Sequence, residues 1–123
     1  MVDTNKDFIP FELAVKLKEK GFDYKCHYCY KNSIIMSQCS ELLNHNADAV
    51  TYSAPTISQV LEWLRKEKCL HIEILHIFSE ETLWDFEIAH IGSYERWWNT
   101  LGLFNTYERA ALTGIKYVFD NLI

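Results

Sequence analysis

SAPTISQVLEWLRKEKCLHIEILHIF, residues 53–78, carries a change of hydrophobic period that decides the fold. Thr56 followed by Gln59 is a capping box, in which the hydroxyl accepts from the third helical amide and the Gln side chain returns to the cap residue's own amide. Ile57, Val60, Leu61 and Leu64 then recur at i, i+3, i+4 and i+7 and form one stripe, with Trp63 on its edge. Glu62, Arg65, Lys66 and Glu67 fall on the wet side, so the helix covers something with one face. After Lys68 the period becomes two. Ile72, Ile74, His76 and Phe78 project to one side of a strand, and His71, Glu73, Leu75 and Ile77 to the other.

Residues 83–91 repeat the alternation, with Trp84, Phe86, Ile88 and His90 on one side and Asp85, Glu87 and Ala89 on the other. Directly paired residues share a face, so matching the two apolar rows requires an odd-numbered connection of three or five residues around 79–83. In the five-residue register Phe78 faces Trp84, Ile74 faces Ile88 and Ile72 faces His90. A slip by one would set Ile74 against Glu87.

A chain of 123 residues can bury a working core as one domain, 1–123. At 49% apolar and 24% charged residues its composition is globular, and no apolar run reaches the roughly 20 residues needed to span a bilayer. The start, MVDTNKDFIPFEL, shows no secretory pattern, which favours the cytoplasm. A net charge of −5 argues against a general nucleic-acid binder. The charge is uneven: five lysines lie between Lys16 and Lys31, and six acids with no Lys or Arg between Glu73 and Glu95. Solvated surfaces explain this, and a complementary partner or a second copy is the sharper alternative. Four cysteines in such a chain read as reduced thiols.

Outward from the central stretch, a first helix is expected over 10–20, opened by Pro10 and closed by Gly21 and Phe22 in a Schellman stop against Leu17. Residues 23–32 read as a strand with Tyr24, Cys26, Tyr28 and Tyr30 on one face and Lys25, His27, Cys29 and Lys31 on the other. Asn32-Ser33 is a turn and 34–36 the return strand. Residues 38–52 read as mostly loop, with a short helical turn at 40–44. After Gly92 and Ser93, YERWWNTLGLF (94–104) reads as a third strand or an aromatic loop. A last helix over 106–121 is expected to be capped by Asn105 with Glu108 at N3. Its core stripe is Tyr107, Ala111, Ile115, Val118 and Leu122, flanked by Ala110 and Gly114. The fold class is α+β: an antiparallel sheet of about four strands with three helices, in the order α-β-β-α-β-β-α.

No catalytic constellation emerges. Cys26-His27-Tyr28-Cys29, with Cys39 and His45 downstream, has zinc-ligand residue types. On an alternating strand, however, i and i+3 point the two sulfurs to opposite faces, and no Gly or Pro makes the needed turn. Two ordinary thiols, one buried and one partly exposed, are the preferred reading, so no metal and no cofactor is assigned. His76 and His90 share the core-side parity but stand about four strand residues apart. No phosphate-cradling glycine loop is present, and Glu80, Glu81, Asp85 and Glu87 lack calcium-loop spacing. The Tyr/Lys strand could stack single-stranded bases, a use the acidic remainder disfavours. Trp97 and Trp98 cannot both face inward from one strand, and Arg96 adjoins them. These three residues are the candidate partner-binding site.

FIPFELAVKLKEKGFD (8–23), SAPTISQVLEWLR (53–65) and TYERAALTGIKYVFDNLI (106–123) resemble a family of small uncharacterised proteins carried by phages and mobile elements of gut Bacteroides-type bacteria. The resemblance covers most of the chain apart from residues 39–49. Its blocks are helix starts and core stripes, so it implies a shared fold and brings no activity, cofactor or catalytic residue. The resulting expectation is a non-enzymatic interaction or accessory protein of a bacterial mobile element, self-associating as a homodimer or binding another protein. The alternative is a nucleic-acid-associated or zinc-binding accessory protein.

Overall fold

The structure is a computed structural model and describes residues 8–36, 42–78, 82–100 and 102–123. It is α+β, with the elements α1 (Phe11–Glu19), β1 (Cys29–Lys31), β2 (Ile34–Met36), β3 (Thr51–Ser53), α2 (Ile57–Glu67), β4 (Leu70–Ile77), β5 (Leu83–His90), β6 (Arg96–Trp98) and α3 (Tyr107–Asn121). The strands form two antiparallel three-stranded sheets, ordered β2-β1-β3 and β4-β5-β6, where about four strands were expected. Contacts divide the chain into two compact units, 1–59 and 60–123.

In the first unit α1 ends as its sequence dictates. The Gly21 amide donates to Lys18 O at 3.1 Å and Phe22 to Leu17 O at 3.2 Å, which is the Schellman pair, with Gly21 at φ +91°. Asn32 and Ser33 both take positive φ, 54° and 62°, as a two-residue primed hairpin turn between β1 and β2 requires. β3 was not expected. Its residues pair with β1, Cys29 with Ser53 and Lys31 with Thr51, across a loop no short-range pattern announces. The expected strand over 23–32 shrinks to β1 because the chain bends at His27, and Cys26 instead bridges Leu43. Tyr30 and Tyr52, on one face of this sheet, meet the Phe11 ring edge-on at 5.4 Å each. The helical turn expected at 40–44 lies partly outside the described residues; the described turn is a 3-10 turn at His45–Ala47.

α2 runs across the division between the units. Its capping box forms both ways: the Gln59 amide donates to Thr56 Oγ1 at 3.2 Å, and the Thr56 amide to Gln59 Oε1 at 2.9 Å. Ile57, Val60, Leu61, Trp63 and Leu64 are buried, as the stripe requires.

In the second unit β4 and β5 keep the expected faces in a register two residues from the expected one. His76 pairs with Trp84, Ile74 with Phe86, Ile72 with Ile88 and Leu70 with His90. Ile77 pairs with Leu83, so the connection does hold five residues, 78–82. A shift by two leaves every side chain on its face, so burial does not separate the two registers. The observed one sets His76 and Tyr107 against the Trp84 ring at 5.1 and 5.6 Å and leaves Phe78 just past β4, 95% exposed instead of in the core row. α3 covers the Ile72-Phe86-Ile88 face with Ala110, Ala111, Gly114, Ile115, Val118 and Phe119. A Cβ at Gly114 would stand 3.0 Å from Ile72 Cγ2 and 3.3 Å from Phe86 Cδ2, so glycine sets the close approach. The helix cap is Thr106, one residue later than expected, its Oγ1 accepting from the Arg109 amide at 3.1 Å. Phe104 is held extended by two 2.8 Å backbone bonds with Trp84, and the helix starts only beyond it.

Candidate interaction surface

The open question over 94–104 resolves into β6, three residues long, lying along β5 with Trp97 opposite Ile88, Trp98 opposite Glu87 and Arg96 opposite Ala89. Strand alternation divides the three candidate residues. Trp97 shares the face of Ile88 and Phe86 and is half-buried, whereas Arg96 and Trp98 project from the opposite face. Trp98 is 64% exposed, and the Arg96 guanidinium reaches Glu87 Oε1 at 3.4 Å, a loose surface pair of small energetic weight. Beside β6 a cleft of about 110 Å³ is lined by Phe86, Ile88, Trp97, Trp98, Asn99, Thr100 and Tyr117. Its polar rim is built by Asn99, whose Nδ2 donates to Asp85 Oδ1 at 2.8 Å and to Gly102 O at 2.6 Å. Asp85 Oδ1 also accepts the Phe86 amide at 2.8 Å, closing the gap between the Trp97 pairing and the Phe104 bridge.

Two features here escaped the sequence reading. Tyr94, just before β6, is fully exposed, and Ile91 is exposed in the same turn. Glu73 and Glu87 stand directly opposite each other on the face shared with Arg96 and Trp98. Like charges so placed repel. Each carboxylate has a base beside it: His71 Nε2 at 2.7 Å from Glu73 Oε2, and Arg96 at Glu87. The parity of the two strands contained this pairing, but only the correct register brings the two carboxylates level.

The cysteine cluster reads differently from expectation. Cys26 and Cys29 are both buried, each 1% exposed, where one was expected partly exposed; the bend at His27 breaks the alternation that would have separated them. Burial pushes the Cys26 thiol up to about 12, against which the neighbouring Ser53 hydroxyl works to a lesser extent. Its Sγ donates to Tyr24 O at 3.5 Å. Zinc takes the thiolate, so this sulfur is poorly prepared as a ligand. His45 donates from Nε2 to Cys26 O at 2.9 Å and serves as a backbone tie. Cys39 lies outside the described residues. Among the described residues no three His, Cys, Asp or Glu side chains are grouped to hold a metal. His90 pairs opposite Leu70, six residues along β4 from His76. The rings of Tyr24, Tyr28 and Tyr30 are each engaged by a phenylalanine, Phe22, Phe8 and Phe11 respectively, so the base-stacking use loses its platform.

Comparison with protein families, with characterised proteins and with solved structures returned no match. Among the described residues no helix is long and apolar enough to cross a membrane.

Proposed function

We propose that this protein is a small non-enzymatic interaction protein of a bacterial mobile element, working in the cytoplasm and self-associating through the outer edge of β6. The observation that carries this reading is Trp98: a large apolar ring, 64% exposed, on an edge strand with an arginine two residues away. Tryptophan and arginine dominate the energetics of protein contacts, and exposed strand edges recruit further strands. The mobile-element setting rests on the resemblance of residues 8–23, 53–65 and 106–123. The cytoplasmic setting is supported by free thiols at Cys26 and Cys69. Light scattering across a concentration series tests the reading. The wild-type mass is expected to rise from one copy toward two, and Trp98→Ala to stay near one copy at the same concentrations. A wild-type mass of one copy throughout overturns self-association.

A further inference from the structure

The backbone of β6 specifies how a second copy would sit. The His90 amide donates to Glu95 O at 3.0 Å, which makes that pair a hydrogen-bonded one. Antiparallel ladders alternate, so Ile88 and Trp97, two residues further along each strand, form the next hydrogen-bonded pair. Trp97 thus spends its amide and carbonyl on β5. Arg96 and Trp98, on either side of it, turn theirs to the outer edge. β6 is the last strand of its sheet, and among the described residues no backbone group pairs with that edge.

Two copies of this edge can pair antiparallel about a two-fold axis only in registers that bring outward groups together. Centring the axis on Arg96 would set arginine against arginine, which like charge opposes. Centring it on Trp98 would leave each Arg96 outside the paired strand. Centring it on Trp97 uses all three residues, and its cross-strand partners complement each other.

Resting on the self-association reading above, we propose that two copies join β6 to β6 antiparallel about Trp97, making one six-stranded sheet in which Arg96 of each copy lies over Trp98 of the other. Four backbone hydrogen bonds form, two in each Arg96–Trp98 pair. Both pairs project from the face opposite Trp97, where the exposed Trp98 ring offers its π-face to a guanidinium. The loose 3.4 Å contact of Arg96 with Glu87 leaves that guanidinium able to turn. The two Trp97 side chains meet on the cleft face at a non-hydrogen-bonded position, where cross-strand side chains come closest. Three residues per copy make a small contact, so the dimer is weak and forms only at high concentration.

The register is tested by mixing Arg96→Cys and Trp98→Cys proteins under mild oxidation and mapping disulfides by mass spectrometry, beside light scattering of the wild type. Positions 96 and 98 of opposite copies are expected about 5.5 Å apart, within disulfide reach, and the mixed pair keeps one Arg96–Trp98 contact intact. Each single variant alone would need a 98-to-98 or 96-to-96 bridge, beyond the roughly 7 Å limit. The expected result is a 96–98 cross-link in the mixture that is absent from either protein alone, with Arg96→Ala weakening dimerisation about tenfold. A wild-type dimer that yields no 96–98 cross-link overturns this register and leaves self-association standing. A wild-type monomer at every concentration overturns both.

Discussion

Each of the two compact units of this chain is stabilised internally by a different means. In residues 1–59 the strands are three residues long each, and polar side chains reach back to main-chain groups across the loops. Asn46 donates to Phe22 O at 2.9 Å and accepts the Ser53 amide at 2.8 Å, and Lys18 donates to Asp48 O and Thr51 O at 2.6 and 2.7 Å. The Tyr30 hydroxyl donates to Ile9 O at 2.7 Å. Asp48 accepts from the Val50 amide and from the Thr51 hydroxyl, and these bonds hold its carboxyl below the usual range. In residues 60–123 two eight-residue strands pair along their whole length and a 15-residue helix bonds its own backbone, and apolar side chains fill the space between. Where regular ladders are short, side chains must complete the backbone's hydrogen bonding; where they are long, packing is left to decide stability.

That contrast is most exposed to failure at Ile88, fully buried at the centre of β5 beneath α3. Ile88→Ala removes packed methyl groups and leaves a cavity, and is expected to cost about 3 to 4 kcal/mol in urea unfolding. A loss below about 1 kcal/mol would mean that the second unit is not organised around this packing.

Asn46→Ala is the corresponding cut in the first unit. It removes the side-chain bonds to Phe22 O and the Ser53 amide, and is expected to cost about 2 kcal/mol, less than Ile88→Ala. Hydrogen exchange should locate the loss at the Ser53 amide. If Asn46→Ala is silent while Ile88→Ala is severe, packing sustains both units and the contrast fails.

The sequence was most legible where interactions are local. The Thr56–Gln59 box and the Gly21–Phe22 stop form within a few residues of each other, and both appear as read. The faces of β4 and β5 were legible because burial depends on parity; their register was not, since a shift by two changes no residue's face. β3 was invisible because Thr51, Tyr52 and Ser53 become a strand only by meeting β1, 22 positions back from Tyr52 to Tyr30. Asn105 and Thr106 are both competent caps, and the choice between them depends on the Trp84–Phe104 bridge, a tertiary contact. At the candidate surface the alternation separating Trp97 from Trp98 was readable, whereas the level pairing of Glu73 with Glu87 required the register.

A pH titration sharpens the account of the first unit. Cys26 ionises near 9.0 in an unfolded chain and is pushed up to about 12 when folded. Below pH 9 both states hold the proton and the thiol's contribution is fully present. As pH rises beyond 9 the unfolded chain loses the proton first, so stability falls until the folded thiol also ionises. Burial raises Tyr30 in the same direction from 10.0, so the wild type alone does not isolate the cysteine. The decisive quantity is the difference from Cys26→Ala, whose unfolding free energy should decline less steeply between pH 9 and 11. Equal slopes would mean that the folded thiol ionises as readily as the unfolded one.

The smallest expected effect lies at the start of the second unit, where α2 passes into β4. Cys69 sits just beyond the helix end at φ +56°, a conformation that a side chain pays for and glycine does not, and its carbonyl accepts the Ile91 amide at 2.7 Å. Its side chain is exposed and no hydrophobic burial depends on it. Cys69→Gly therefore relieves left-handed strain of about 1 kcal/mol, partly offset by the added freedom of the unfolded chain, for a net gain of about 0.5 kcal/mol. Cys69→Ser keeps the Cβ and should gain nothing, so the comparison separates backbone strain from loss of the thiol. If serine stabilises as much as glycine, the junction is not strained, and the hydrogen bond to Ile91 holds it without conformational cost.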